Sequence, residues 1–127
     1  MDNLEARTAF ITGGTSGIGF GMALVFARAG MNVVISDVRD KELERAGQEL
    51  RQISGNVLTL NVDSTDQSAL EAASAEIRQT FGNLHVLCNN AGIPGGGKIL
   101  ETPDERWRNT HEVNFWGPLN GIRTFLP

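Results

Sequence analysis

Short apolar runs alternate with longer stretches whose apolar residues recur every three or four positions, and this rhythm sets what the chain can become. The runs lie at 8–12, 32–37, 57–62 and 84–88. Each has the length and composition of a buried strand. Between them, 18–29 puts Ile18, Met22, Val25, Phe26 and Ala29 on one helical face. The stretch 40–53 does the same with Leu43, Ala46, Leu50 and Ile53, and 66–81 with Leu70, Ala73, Ile77 and Phe81. Gly30, Ser54-Gly55 and Gly82 supply the stops. A fourth helix opens at Thr102-Pro103-Asp104-Glu105 and runs through Trp107, Asn114, Leu119 and Ile122. Pro103 suits the first helical position, and the two acids suit the positive end of the helix dipole. Strand–helix alternation with short connections means βαβ units and a parallel sheet. Right-handed crossovers then place helices on both faces. The expectation is a doubly wound α/β fold forming one domain over 1–127, ending after a fourth strand and the helix that follows it.

Composition narrows the function classes. With 11 Lys+Arg against 15 Asp+Glu among 127 residues, the net charge is -4. Bulk nucleic-acid binding needs a basic footprint, so it is disfavoured. Apolar residues at 40% and charged residues at 20% fit a globular protein. No apolar run approaches the roughly 18–20 residues that span a bilayer, so no membrane partner is expected. The opening Met1-Asp2-Asn3-Leu4-Glu5 is acidic, unlike a secretory leader, and a reducing, cytoplasmic setting is expected. A single cysteine rules out an intrachain disulfide and a thiolate cluster; Cys88, in the fourth run, reads as a small core residue. His85 and His111 have no suitably spaced partners, so no metal site is expected. There is no tyrosine.

The loop after the first strand reads Thr12-Gly13-Gly14-Thr15-Ser16-Gly17-Ile18-Gly19. A glycine loop between a strand and a helix is where such folds hold phosphate. Unpaired amides and the helix dipole stabilise an anion there, and glycine lets the backbone come close to it. The spacing is Gly-x-x-x-Gly-x-Gly, and no Lys-Ser or Lys-Thr follows, which excludes a P-loop. Asp37 ends the second strand, 18 residues after Gly19. A carboxylate there can accept hydrogen bonds from the adenosine ribose of NAD and repel the 2′-phosphate of NADP. The absence of Lys and Arg from the loop agrees with NAD. Arg39 is a counterweight, since its guanidinium can turn toward a phosphate. Asp37 also has a plain alternative as a turn or helix cap.

Four motifs fall in order on these elements: Thr12-Gly13-x-x-x-Gly17-Ile18-Gly19, Asn61-Val62-Asp63, Asn89-Asn90-Ala91-Gly92 and Val113-Asn114-x-x-Gly117. Together they resemble the N-terminal half of a short-chain dehydrogenase/reductase over essentially the whole chain. The resemblance implies a Rossmann-like NAD(P)-binding fold in which 13–19 wraps the pyrophosphate. Gly13, Thr15, Ser16, Gly17, Ile18 and Gly19 would be its contacts. It implies Asp37 on the ribose, Asp63 with Val62 at the adenine, and Asn90, Ala91 and Gly92 lining the cofactor cleft. Asn114 resembles the asparagine of the family's Asn-Ser-Tyr-Lys catalytic set, which is thought to anchor a relay water and bend its helix. Alternatives stay open: Asp63 can cap a turn before Ser64-Thr65-Asp66, and Asn89 and Asn90 can satisfy strand-end backbone.

The resemblance implies hydride transfer between a nicotinamide and a small alcohol/ketone substrate. A full family member is roughly twice as long and carries the serine and the Tyr-x-x-x-Lys pair beyond the point where this chain stops. Lacking them, the 127 residues alone are expected to be inactive. The strand at 84–88 would then present an open edge. The last helix would show Trp107, Phe115, Trp116, Leu119, Ile122 and Phe125 on more than one face, which predicts a homo-oligomer or association with a missing C-terminal half. Two other classes compete: a non-catalytic NAD-binding module, and a methyltransferase using S-adenosylmethionine. The Asn-Asn-Ala-Gly and Val-Asn-x-x-Gly motifs argue against the latter.

Overall fold

The computed structural model describes residues 3–127; Met1 and Asp2, which open the acidic N-terminal run, lie outside the described residues. Among those residues the order is β1 (Thr8–Thr12), α1 (Gly17–Arg28), β2 (Asn32–Asp37), α2 (Asp40–Arg51), β3 (Val57–Asn61), α3 (Gln67–Phe81), β4 (Val86–Cys88), α4 (Asp104–His111), a π-helical turn (Glu112–Trp116) and α5 (Gly117–Phe125). The strands form one parallel sheet in the order β3-β2-β1-β4. The chain walks outward from β1 to β3 and then returns to the other side of β1. This is the doubly wound, Rossmann-like arrangement, with its switch point between β1 and β4, where ligands of such sheets bind.

Alternate strand residues feed two cores. Ala9, Ile11, Val33 and Ile35 meet Ala23 and Ala27 of α1 and Leu43, Ala46 and Leu50 of α2. On the opposite face, Phe10, Val34 and Leu60 meet Leu70, Ala73 and Ile77 of α3. Phe125 of α5 packs edge-on to Phe10, with ring centroids 5.3 Å apart. β1 is buried along its whole length, as expected of a parallel strand covered on both sides. Each fully buried Ile, Leu or Phe side chain stabilises the fold by roughly 1.5–3 kcal/mol.

Three expectations need correction. The inward face of α1 is Gly19, Ala23 and Ala27, whereas Ile18 and Val25 are 80% and 60% exposed. The helix starts so close to the loop and sheet that a Cβ at Gly19 would stand 2.5 Å from the Gly13 carbonyl. Small residues four apart therefore face inward, and the larger ones are pushed to the flanks. β4 is shorter than 84–88 because its first rung uses a side chain. The His85 amide donates to the Thr8 carbonyl (2.9 Å), while His85 Nδ1, in place of a backbone carbonyl, accepts from the Thr8 amide (3.0 Å). The fourth helix is not continuous: five residues around Asn114 form the π turn that separates α4 from α5.

Candidate functional site

The glycine loop is stitched to the turn after β4. Thr12 Oγ1 accepts from the amides of Asn90 (3.1 Å) and Ala91 (3.0 Å) and donates to the Cys88 carbonyl (3.4 Å). Asn90 Nδ2 donates back to the carbonyls of Thr12 (3.1 Å) and Gly13 (3.0 Å). Gly13 has φ +63°, and a Cβ on it would lie 2.9 Å from Ala91 Cα. A side chain is therefore excluded by conformation and by space together. Asn90 thus does satisfy strand-end backbone, and in doing so it fixes the loop.

Ser16 caps α1 without a side-chain capping hydrogen bond, and the first turn of α1 contains no acid. The helix's first amides and its positive dipole end are left for an outside acceptor. Thr15 is buried beneath this point. Its hydroxyl donates to Asp37 Oδ2 at 2.6 Å. Asp37 Oδ1 accepts from the backbone amide and Nε of Arg39, and Oδ2 also accepts from its Nη2, each at 3.0 Å. Burial pushes the Asp37 pKa up, but the hydrogen bonds from Arg39 and Thr15 outweigh it and bring it to about 2. The carboxylate is a fixed negative charge at the end of β2, with its side chain 10% exposed.

Asp63 Oδ1 accepts from the amide (2.9 Å) and hydroxyl (2.8 Å) of Thr65. The turn-capping alternative therefore describes its contacts, while the helix cap itself is Asp66, which accepts from the Ala69 amide. Asn114 forms a reciprocal pair with Ile93: Oδ1 accepts from its amide and Nδ2 donates to its carbonyl, both at 2.9 Å. Within the π turn it thus ties the helix to the loop after β4. Burial raises the Cys88 pKa, which keeps it a neutral thiol packed against the core.

These pieces frame a cleft of about 590 Å³ at the switch point. Of the candidate residues, Gly13, Ser16, Asp37, Val62, Asp63, Asn90, Ala91 and Gly92 line it. Thr15 lies under it, and Gly17, Ile18 and Gly19 continue from Ser16 as the first turn of α1. Asn114 is not on the wall; its neighbour Val113 and its partner Ile93 are. Sequence reasoning missed Val38, Ser64, Ile93 and Val113. Their side chains carry no chemistry that would single them out, and only position brings them here.

A family model described as short chain dehydrogenase matches residues 7–127. The chain belongs to the short-chain dehydrogenase family. The chain is 38% identical over 127 residues to 1-deoxy-11-beta-hydroxypentalenate dehydrogenase of Streptomyces exfoliatus, covering 98% of this chain and 46% of the relative. Among solved structures it resembles a short chain dehydrogenase/reductase from Burkholderia phymatum in complex with NAD (TM-score 0.96, 32% identity, covering 100% of this chain and 45% of that one). It also resembles L-sorbose reductase from Gluconobacter frateurii complexed with NADPH and L-sorbose (TM-score 0.91, 31% identity, covering 100% and 49%). The chain therefore spans about half the length of these relatives, of which one is complexed with NAD and another with NADPH. No helix among the described residues is long and apolar enough to cross a membrane, and no three His, Cys, Asp or Glu side chains among them cluster in a way that could hold a metal ion.

Proposed function

We propose that these residues bind the adenosine diphosphate side of a nicotinamide dinucleotide, with NAD preferred over NADP. The whole protein then oxidises an alcohol or reduces a carbonyl on a small molecule. The observation that carries the reading is the pairing of two opposite features in one cleft. At one wall are the free first-turn amides of α1 and the uncapped Ser16 hydroxyl. At the other is the Asp37 carboxylate, charged at any physiological pH. The first suits a diphosphate and the second suits neutral ribose hydroxyls while repelling a phosphate monoester. Gly13 and Gly19, lacking side chains, let the loop close on Ala91 and Asn90 and so hold that wall in place.

Four hydrogen bonds occupy the Asp37 oxygens, about as many as a carboxylate accepts. A ribose hydroxyl therefore needs the Arg39 guanidinium, 56% exposed, to turn outward. Val62 and Asp63 bound the adenine end, and Asn90, Ala91 and Gly92 form the floor toward the nicotinamide. The bound dinucleotide supplies the hydride acceptor or donor. Asn114 holds the Ile93 backbone and thereby the far wall. In resemblance to the family's set it is the one catalytic position within these 127 residues, so the segment alone is inactive. Exposed Trp107, Phe115, Trp116 and Ile122 are covered by a second copy or by the rest of the protein; gel filtration showing the 127-residue segment as a well-folded monomer at low micromolar concentration would oppose that.

NADH and NADPH titrations followed by nicotinamide fluorescence test the reading. NADH should bind more tightly, and Asp37→Ala should weaken NADH and narrow the gap to NADPH. Equal discrimination in wild type and variant removes Asp37 from this role.

A further inference from the structure

Arg45, on α2, reaches across to the glycine loop. Its Nη2 donates to the Thr15 carbonyl oxygen at 2.6 Å. The guanidinium is held from its own helix: Glu49 Oε1 accepts from Nη1 at 3.0 Å, and Glu42 Oε2 accepts from Nη2 at 3.1 Å and Nε at 3.4 Å. Its Cζ lies 5.6 Å from the ring centroid of Phe20 on α1. A surface arginine with one carboxylate partner is loosely placed. Arg45, with two carboxylates, an aromatic face and a backbone carbonyl, joins α2, the loop and α1 in one geometry.

The consequence follows from the peptide plane. No peptide bond among the described residues is cis, so a carbonyl and the next amide point in opposite directions. With its oxygen drawn toward α2, the Thr15–Ser16 peptide turns the Ser16 N–H away from α2. Ser16 lines the cleft, and no hydrogen bond within the described residues engages its amide. Rotated the other way, the same peptide would present a carbonyl oxygen to an anion. The Thr15 side chain does not prevent that rotation by itself, because its hydroxyl bond to Asp37 fixes the side chain and not the peptide that follows.

We propose that Arg45 is a positioning residue for dinucleotide binding: by holding the Thr15 carbonyl toward α2 it aims the Ser16 amide at the diphosphate. The inference rests on the dinucleotide reading above and adds a residue from outside the cleft to it.

The test uses Arg45→Met in the full-length protein. Arg45 is 44% exposed at its side chain, so the fold survives the change and the melting temperature checks this. The variant should lose about tenfold in affinity for NADH and for ADP-ribose, the scale of one charge-assisted hydrogen-bonding arrangement, while adenosine, which has no phosphate, binds as before. Raising salt to about 0.5 M, which screens through-space charge, should leave the loss in place. In ¹⁵N spectra the Ser16 amide should shift on adding ADP-ribose to wild type and fail to do so in the variant. Unchanged NADH affinity, an equal loss for adenosine, a loss that disappears in high salt, or a Ser16 amide that responds alike in both proteins would each overturn the role of Arg45. Wild-type protein that binds no NADH would instead overturn the dinucleotide reading, and the inference with it.

Discussion

The β1–α1–β2 region and the region from Ile93 to Phe125 are built on different logic, although both border the same cleft. In the first, strands are buried on both faces, and the loop carbonyls of Thr12, Gly13, Thr15 and Ser16 each accept a hydrogen bond. The loop is closed by Thr12, Asn90 and Ser36, whose carbonyl accepts from the Gly14 amide at 3.1 Å. In the second, α4 and the π turn contain no buried residue, and Trp107, Phe115 and Trp116 stand open. Its order comes from a few tertiary ties: Asn114 to Ile93, the buried Asn120, whose Nδ2 donates to the Ser64 carbonyl at 3.2 Å, Thr124, whose hydroxyl accepts from Gln67 Nε2 at 2.7 Å, and Phe125 at the far end, packed on Phe10. Where packing over-determines the backbone, a single added atom is felt everywhere. Where a few hydrogen bonds set it, damage stays local.

The sharpest way to break the contrast is Gly19→Val. Its Cβ would collide with Asn90 Nδ2 and with the Gly13 carbonyl, and the latter is backbone that cannot step aside. The expected loss is about 3 kcal/mol or more, from overpacking at a closed junction. Urea unfolding should show it as a lower midpoint with an unchanged slope. A variant as stable as wild type would mean that the loop is as pliable as the C-terminal region, and the comparison would fail.

Asp37→Asn is next in size and carries a pH signature. The folded-state pKa of about 2 lies below the ordinary 3.8. The native fold therefore favours the charged form, and the contribution is present above pH about 4. It is lost as pH falls through about 2. A shift of this size corresponds to about 2 kcal/mol at neutral pH. Urea melts of wild type and variant should differ by that amount near pH 7 and converge toward pH 2. A gap that stays constant down to pH 2 would show that Asp37 is not held by Arg39 and Thr15.

The same division separates what was legible in the sequence from what was not. The strands, their parallel pairing and the inner faces of α2 and α3 follow from local pattern, because Leu43, Ala46 and Leu50, or Leu70, Ala73 and Ile77, need only point one way. The α1 face did not follow. Hydropathy marks Ile18 and Val25 as inward residues, but clearance between helix and sheet admits only Gly19, Ala23 and Ala27. Steric room is a property of the assembled pair, not of the helix. The cleft's glycines and acids stood out by chemistry, whereas Ile93 and Val113 are ordinary apolar residues. Arg45 reads as one more charge on a solvated helix: its Glu42 and Glu49 neighbours are visible at three and four residues, but the Thr15 carbonyl it grips is thirty residues away. The π turn was legible only through the family resemblance, which implied a bend at Asn114; local pattern missed it for a related reason. Its Asn114 is a poor helix former whose compensation, the Ile93 backbone, is 21 residues distant.

Asn114→Ala is the mildest of these changes and the most discriminating for the C-terminal region. Removing the side chain deletes both 2.9 Å bonds to Ile93, at a cost of about 1 kcal/mol, because the freed groups sit where water can replace it. Global stability should therefore move little. The Ile93 amide, however, loses its acceptor and should exchange with solvent several-fold faster, together with the amides of Glu112–Trp116 as the π turn relaxes. Amides of β1 and β2 should exchange as in wild type. Faster exchange that spread into β1 would show that the C-terminal region and the sheet form one cooperative unit. Unchanged exchange at Ile93 would show that the loop after β4 is held by something other than this pair. Only acceleration confined to Ile93 and the π turn fits a cleft with one wall set by close packing and the other by a single asparagine.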